Sequence, residues 1–309
     1  MDRLLYFIAR LAVRFLQTLP MRWVAQVGRC GGEAVFWVDG RHRRMAVKNL
    51  TRCFHAEKSA GEIRAIAHEN FRRIGENYCC AVKSAAMNEA ELKTVLEIKG
   101  TATLNSANTE CPLQSSVFAT GHFGNFELFS RLAGYMPGYR CASTYRGLRQ
   151  PSLERLLVAM RSVSGTMMFE RRTGGDELKR VMSGGGMLLV LFSDQSARDD
   201  GLETPFFGQT CFTTRAPAVM ANRYDCTLYA PVCYRTGPGR WVIEIGEPIP
   251  TRENDRRRST EAITRDINSA LEVAVRRDPA NWFWVHNRWK TRPCAAPITA
   301  ASSVLHPAR

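Results

Sequence analysis

Six consecutive apolar residues, Met187-Leu188-Leu189-Val190-Leu191-Phe192, follow the turn Gly184-Gly185-Gly186. So short a run has no polar side. As a strand it must be covered on both faces, which happens in sheets sandwiched between helices. Ser116-Val117-Phe118-Ala119 and residues 228–233 and 241–245 read as further strands, and residues 123–136, 174–183, 213–223 and 259–277 as helices. Residues 1–95 have a different texture. They look helical throughout, with Asn70, Phe71, Ile74 and Tyr78 in a long amphipathic stretch that begins near Ser59. Strands alternating with helices after a helical N-terminal region predict an α/β fold with a mixed sheet flanked by helices.

The first helix needs its own argument. Leu4, Ile8, Leu11, Phe15 and Leu19 recur at helical spacing, while Arg10 and Arg14 lie one turn apart on the polar side. A spanning helix needs about 20 apolar residues with few charges, so two central arginines argue against a span. No signal-peptide cleavage pattern follows. An apolar face opposite arginines suits a helix lying among lipid headgroups; the competing use is packing on the protein's own core. Val35-Phe36-Trp37-Val38 adds apolar material that fits the same interface. The expected division is residues 1–38 as membrane-associating helices, 39–293 as the α/β domain and 294–309 as a tail.

Charge narrows the partners. The chain of 309 residues has 43 Lys and Arg against 29 Asp and Glu, a net charge of +14. That excess attracts polyanions. Basic clusters such as Arg41-His42-Arg43-Arg44 and Arg256-Arg257-Arg258 are short, and no helix-turn-helix, RNA-binding or zinc-finger pattern accompanies them. An anionic membrane or an acidic carrier protein therefore fits better than nucleic acid. The 10 cysteines include no C-x-x-C and have no histidine at metal-ligand spacing. They read as buried thiols in a reducing compartment, with no metal expected.

The chemistry concentrates in Ala119-Thr120-Gly121-His122-Phe123-Gly124-Asn125-Phe126-Glu127, between a strand and a helix. Residues beyond the carboxyl ends of strands face the ligand crevice in such sheets. His122 is then placed to take a proton from a hydroxyl, and Glu127, further along the helix, to fold back and fix the imidazole tautomer. An alcohol attacking a thioester needs no more, because the donor is already activated. The bland alternative is a turn histidine and a carboxylate complementing the helix dipole.

The whole segment resembles the H-x4-D/E block of the lysophospholipid acyltransferase superfamily. It looks most like the branch that adds late acyl chains to lipid A, the lauroyl and myristoyl transferases of Gram-negative bacteria. Three further blocks match in order: Glu170-Arg171-Arg172 before a helix, residues 206–221 (FFGQTCFTTRAPAVMA, with Ala216 for the usual glycine), and residues 279–293 (PANWFWVHNRWKTRP). The resemblance covers roughly residues 40–293. It implies a glycerolipid acyltransferase-like fold and direct transfer of an acyl chain from acyl-acyl carrier protein to a lipid hydroxyl, with no cofactor, at the cytoplasmic face of the bacterial inner membrane. The runner-up activity is another glycolipid acyltransferase using acyl-CoA, and the non-enzymatic alternative is a lipid-binding module.

On this resemblance Arg171 or Arg172 meets a phosphate or a developing oxyanion, with Arg171 favoured. Asp194, at the end of the strongest strand, holds Arg171, caps the next segment or touches substrate. Phe206, Phe207 and Gly208 form either an acyl-chain wall or ordinary core. Asn125 braces the turn, and Thr213 caps the helix that follows it. His286 reads as packed among aromatic side chains rather than catalytic. Trp282, Trp284 and Trp289, with Arg288, Lys290 and Arg292, suit a membrane interface.

Overall fold

The computed structural model describes residues 2–106, 113–197 and 201–290; Arg292 and the expected tail 294–309 lie outside them. Helices come first: α1 (Asp2–Thr18), α2 (Met21–Val38), α3 (Gly40–Phe54), α4 (Ala60–Ser84) and α5 (Glu89–Lys93). α4 begins where Ser59 and Glu62 cap each other, the Ser59 hydroxyl accepting from the Glu62 amide and the Glu62 carboxylate from the Ser59 amide. Such caps stabilise a helix by about 1 kcal/mol. α2 lies directly on α4, and a Cβ at Gly32 would stand 2.1 Å from the Phe71 carbonyl oxygen. Only glycine permits that approach. Beside it the buried Glu76 carboxylate accepts from Arg29 at 3.2 Å, Arg235 at 2.9 Å and the Gly239 amide at 2.9 Å.

The remaining elements are β1 (Leu96–Lys99), α6 (Thr101–Ser106), β2 (Ser116–Thr120), a 3-10 helix (Phe126–Gly134), β3 (Arg140–Tyr145), α7 (Pro151–Arg161), β4 (Met167–Glu170), α8 (Gly175–Ser183) and β5 (Met187–Phe192). They continue with β6 (Leu202–Phe206), β7 (Gln209–Thr213), α9 (Ala216–Tyr224), β8 (Thr227–Tyr229), β9 (Val232–Gly237), β10 (Arg240–Glu244), β11 (Arg252–Glu253), β12 (Arg256–Arg257), α10 (Thr260–Arg277) and a 3-10 turn (Pro279–Asn281).

The main sheet has the order β4-β3-β5-β2-β8 and all its pairings are parallel. A smaller sheet, β1-β10-β9, is mixed, with β1 parallel and β9 antiparallel to β10. β5 is central. Met187, Leu189 and Leu191 join the core on one face, and Leu188 and Val190 the core on the other. The unbroken apolar run is thus a period-2 strand buried on both sides.

Several boundaries differ from the sequence expectation. Residues 228–233 are two strands in two sheets, because Pro231 has no amide to continue a ladder; its carbonyl accepts from Thr120 Oγ1 at 2.7 Å. The helix expected at 123–136 is 3-10 and starts only at Phe126. Thr213 is not a cap. It ends β7, with its hydroxyl in a buried cluster with Thr204, Asn268 and Arg288, while the Thr214 hydroxyl accepts from the Ala216 amide at 3.3 Å.

No helix among the described residues is long and apolar enough to cross a membrane. The half-buried stripe of α1 is Tyr6, Ala9, Val13 and Leu16. Its largest apolar side chains face outward instead: Leu4 is 64%, Phe7 58%, Ile8 54%, Leu11 52% and Phe15 62% exposed. Nor does the tryptophan block line a surface. Trp282, Trp284, Trp289 and Arg288 are all buried. The aromatic rings stack on one another and on Phe206, and the Arg288 guanidinium donates to the carbonyls of Gln195 and Phe212 and to Thr213 Oγ1. The proposed interfacial role of these residues is therefore replaced by a structural one.

Candidate active site

β2 delivers the chain into the Gly121–Asn125 turn, and the neighbouring β5 delivers Ser193 and Asp194 to the same end of the sheet. Gly124 has φ +51°, and a Cβ there would meet the Cys233 carbonyl oxygen at 2.6 Å. The turn is closed from outside by the terminal segment, the Asn281 carbonyl accepting from the Gly124 amide at 2.9 Å. Asn125 is buried, and its carbonyl accepts from the Leu128 amide at 3.0 Å.

His122 stands at the mouth, partly exposed, its ring 4.7 Å from those of Phe126 and Phe192 and 5.9 Å from Phe283. Its Nδ1 lies 2.8 Å from Asp194 Oδ1, and its backbone amide donates to Asp194 Oδ2 at 2.8 Å. Trp282 Nε1 donates to the same Oδ2 at 2.8 Å. Burial opposes ionisation of Asp194, but the His122 charge and these hydrogen bonds outweigh it and hold the carboxyl down at about 2. An ionised carboxylate on Nδ1 fixes that nitrogen as the donor and leaves Nε2 free to accept a proton.

This corrects the expected pairing. Glu127 does not orient His122. Its carboxylate is gripped by the Arg161 guanidinium, with Arg161 Nε donating to Oε2 at 2.7 Å and Nη2 to Oε1. Burial lowers the proton affinity of Arg161, and the Glu127 bonds and charge more than restore it, so the arginine stays charged. Asp194 does not hold Arg171 either. Arg171 and Arg172 are exposed on the turn after β4, where the Glu170 carboxylate accepts from the Arg172 amide at 2.7 Å. Neither lines the cleft around His122; the arginines that do are Arg131 and Arg161. Phe206 and Phe207 are buried against Trp282 and Phe54 as core, and Gly208 sits in the β6–β7 turn with φ +66°. They do not line the cleft around His122.

That cleft has a volume of about 390 Å³ and is lined by His122, Phe126 and Glu127 of the turn and its helix, by Tyr78 and Val82 of α4, by Leu157, Met160 and Arg161 of α7, and by Phe283. Its size and mostly apolar wall suit a small-molecule or acyl-chain site. α1 docks beside it: Gln17 Nε2 donates to the carbonyl of Val82 at 3.2 Å, and Lys83 Nζ to the carbonyl of Gln17 at 2.5 Å. No group of three or more His, Cys, Asp or Glu among the described residues could hold a metal ion. His286 is a half-buried acceptor, taking the Ser196 amide on Nε2 at 3.2 Å, and its desolvation pushes its pKa down to about 4.

Arg161 and Trp282 are the site residues that sequence reading did not place. Arg161 occupies the last turn of an ordinary amphipathic helix, 34 residues from Glu127. Nothing local marks it. Trp282 lay in a recognised block, but its indole was assigned to the wrong environment.

The fold and site define an α/β transferase whose strand-end imidazole is backed by a buried carboxylate. The family described as bacterial lipid A biosynthesis acyltransferase matches residues 2–291. The chain belongs to that family and is an O-acyltransferase. It is 24% identical over 287 residues to the lipid A biosynthesis acyltransferase of Haemophilus influenzae, covering 91% of this chain and 88% of that one. It is 23% identical to the lipid A biosynthesis palmitoleoyltransferase of Escherichia coli, covering 82% and 80% of the two chains. To the lauroyltransferase of the same organism it is 22% identical, covering 90% and 89%.

Proposed function

We propose that this protein transfers a fatty acyl chain from acyl-acyl carrier protein to a hydroxyl of a lipid A precursor, as a late acylation step, with His122 as general base. The observation that carries the reading is the Asp194–His122 contact at 2.8 Å, at the wall of an apolar cleft. The thioester chain lies in the cleft. His122 Nε2 removes the acceptor proton as the oxygen attacks the thioester carbon. The tetrahedral oxyanion then collapses, expelling the carrier thiolate, which takes a proton back from the imidazolium.

Glu127 and Arg161 face the same cleft. Arg161 Nη1 has no hydrogen bond among the described residues, which leaves it available to the oxyanion or to an acceptor phosphate. The net charge of +14 favours an acidic donor protein and an anionic bilayer. The protein sits peripherally on the cytoplasmic face of the inner membrane, held by α1 and the exposed Trp23 and Trp37 of α2.

Lipid mass spectrometry of cells lacking and overproducing the protein tests acceptor and chain length together; an unchanged lipid A profile overturns the reading. Competition between acyl-acyl carrier protein and acyl-CoA in the purified reaction decides the donor.

A further inference from the structure

Among the described residues of the terminal block, Trp282 is the one large side chain whose polar atom donates to the Asp194 carboxylate. Among the described residues, Asp194 accepts from two residues, His122 through its amide and ring, and Trp282 through its indole, each at 2.8 Å. His122 is the group being oriented, so the indole is the anchor that ties the carboxylate to the rest of the fold. The anchor is itself fixed. Asn70 Nδ2 donates to the Trp282 carbonyl at 2.5 Å, Phe123 forms an antiparallel bridge to Trp282, and the ring packs 4.6 Å from Trp284 and 5.4 Å from Phe206. Trp282 is buried and does not line the cleft.

The neighbouring bonds lead the same way. Asn281 closes the His122 turn through Gly124, and Arg288 Nη1 donates to the Gln195 carbonyl at 3.1 Å, directly after Asp194. Asn49 in turn donates to the carbonyls of Trp284 and His286, each at 2.8 Å. The terminal segment therefore grips both the loop that carries the imidazole and the loop that carries the carboxylate.

We propose that Trp282 is a positioning residue: its indole N–H sets the rotation of the Asp194 carboxylate and, through it, the aim of the His122 imidazole. This rests on His122 being the general base. Without the indole, Oδ2 keeps only the His122 amide, and the carboxylate turns with the loop it should be fixing. A hydrogen bond to a charged group contributes about 1.5–3 kcal/mol, which corresponds to roughly 10- to 100-fold in rate if it acts only in the transition state.

The test is steady-state kinetics of the full chain with acyl-acyl carrier protein and lipid A precursor, comparing wild type, Trp282→Phe, Asp194→Asn and the double variant. Trp282→Phe keeps the aromatic packing and removes the donor. The expected result is a kcat about 10-fold lower or more, with KM for both substrates within about twofold because the ring does not touch the cleft, and no further loss when Trp282→Phe is added to Asp194→Asn. An unchanged kcat, a rise confined to KM, or losses that multiply in the double variant overturns the proposal. If Trp282→Phe does not fold, the isosteric 3-benzothienylalanine at position 282, which replaces the N–H by sulfur, decides on the same criteria. His122→Ala is the separate control. Near-normal turnover in it removes the general-base reading, whereas a dead His122→Ala beside a fully active Trp282→Phe removes only the role of the indole.

Discussion

One carboxylate holds both the ring and the backbone of His122: Asp194 Oδ1 meets Nδ1 and Asp194 Oδ2 accepts the amide, each at 2.8 Å. The ring is thereby fixed relative to its own main chain, with its other nitrogen turned to the cleft. An imidazole held in this way does not have to find its orientation after substrate arrives.

His122→Ala and Asp194→Asn both cut turnover, the first by about a hundred- to ten-thousand-fold. Asp194→Asn keeps the volume but no longer enforces the tautomer, so its defect lies in kcat with KM little changed. Single-turnover acyl transfer measures this. An Asp194→Asn enzyme with wild-type kcat would return the orienting role to Glu127.

The Glu127–Arg161 pair makes a different prediction. Arg161→Ala leaves a carboxylate unpaired in an apolar cleft and costs about 1–3 kcal/mol of stability, read as a lower Tm. Arg161→Lys does not restore it, since a single ammonium cannot reproduce two parallel N–H donors. Exchanging the charges, Glu127→Arg with Arg161→Glu, recovers much of the Tm but not turnover, because the cationic end moves off the wall where the proposed mechanism needs it for the oxyanion. A charge-exchanged enzyme with normal kcat would make the pair purely structural.

How far the sequence carries this picture depends on the range of the interactions involved. β5 was legible because a run such as Met187–Phe192 leaves no face for water. His122 was legible because strand, glycine turn and helix are local features. Its partner was not. Glu127 is the acid of the local motif, whereas Asp194 lies 72 residues further along the chain than His122. The choice between them is made by the parallel register of β2 and β5, which sets Thr120 opposite Phe192 and so brings the next residues of both strands together. Arg161 is fixed by the docking of α7 over the site, a long-range event. The terminal tryptophans read as interfacial because indole with flanking cations is a membrane-belt composition; their burial, and that of Arg288, whose Nη1 and Nη2 donate to carbonyl, hydroxyl and amide oxygens, shows them to be core.

Stability falls with acidity in two separable steps. The His286 imidazole, ordinarily near 6.5, is pushed to about 4 in the fold. Between those values the unfolded chain binds a proton that the folded chain does not, so stability declines as pH drops from about 6.5 to 4. Asp194 runs from its ordinary 3.8 down to about 2 in the fold, so its contribution is intact above about pH 4 and lost toward pH 2. Urea unfolding across pH should show both slopes. His286→Gln flattens the first and leaves the second, and Asp194→Asn does the reverse. A first slope that persists in His286→Gln assigns it to another group.

The outward face of α1 gives the last test. Leu11 and Phe15 are exposed, while Tyr6, Ala9, Val13 and Leu16 form the stripe toward the protein. Replacing Leu11 and Phe15 by aspartate therefore leaves the fold and Tm nearly unchanged. On a bilayer the same two side chains each contribute about 1.5–3 kcal/mol when buried, and the new carboxylates are repelled by anionic headgroups. Co-sedimentation with phosphatidylglycerol-containing vesicles should drop by at least about 100-fold in partition coefficient. Arg10→Glu with Arg14→Glu loses binding to anionic vesicles but retains more of it on zwitterionic ones, because only the charge term is removed. Turnover of a soluble acceptor analogue stays near wild type in all these variants, since none of the four residues lines the cleft. Full vesicle binding by the double aspartate variant would show that α1 faces water, and that the attachment to the bilayer is made elsewhere.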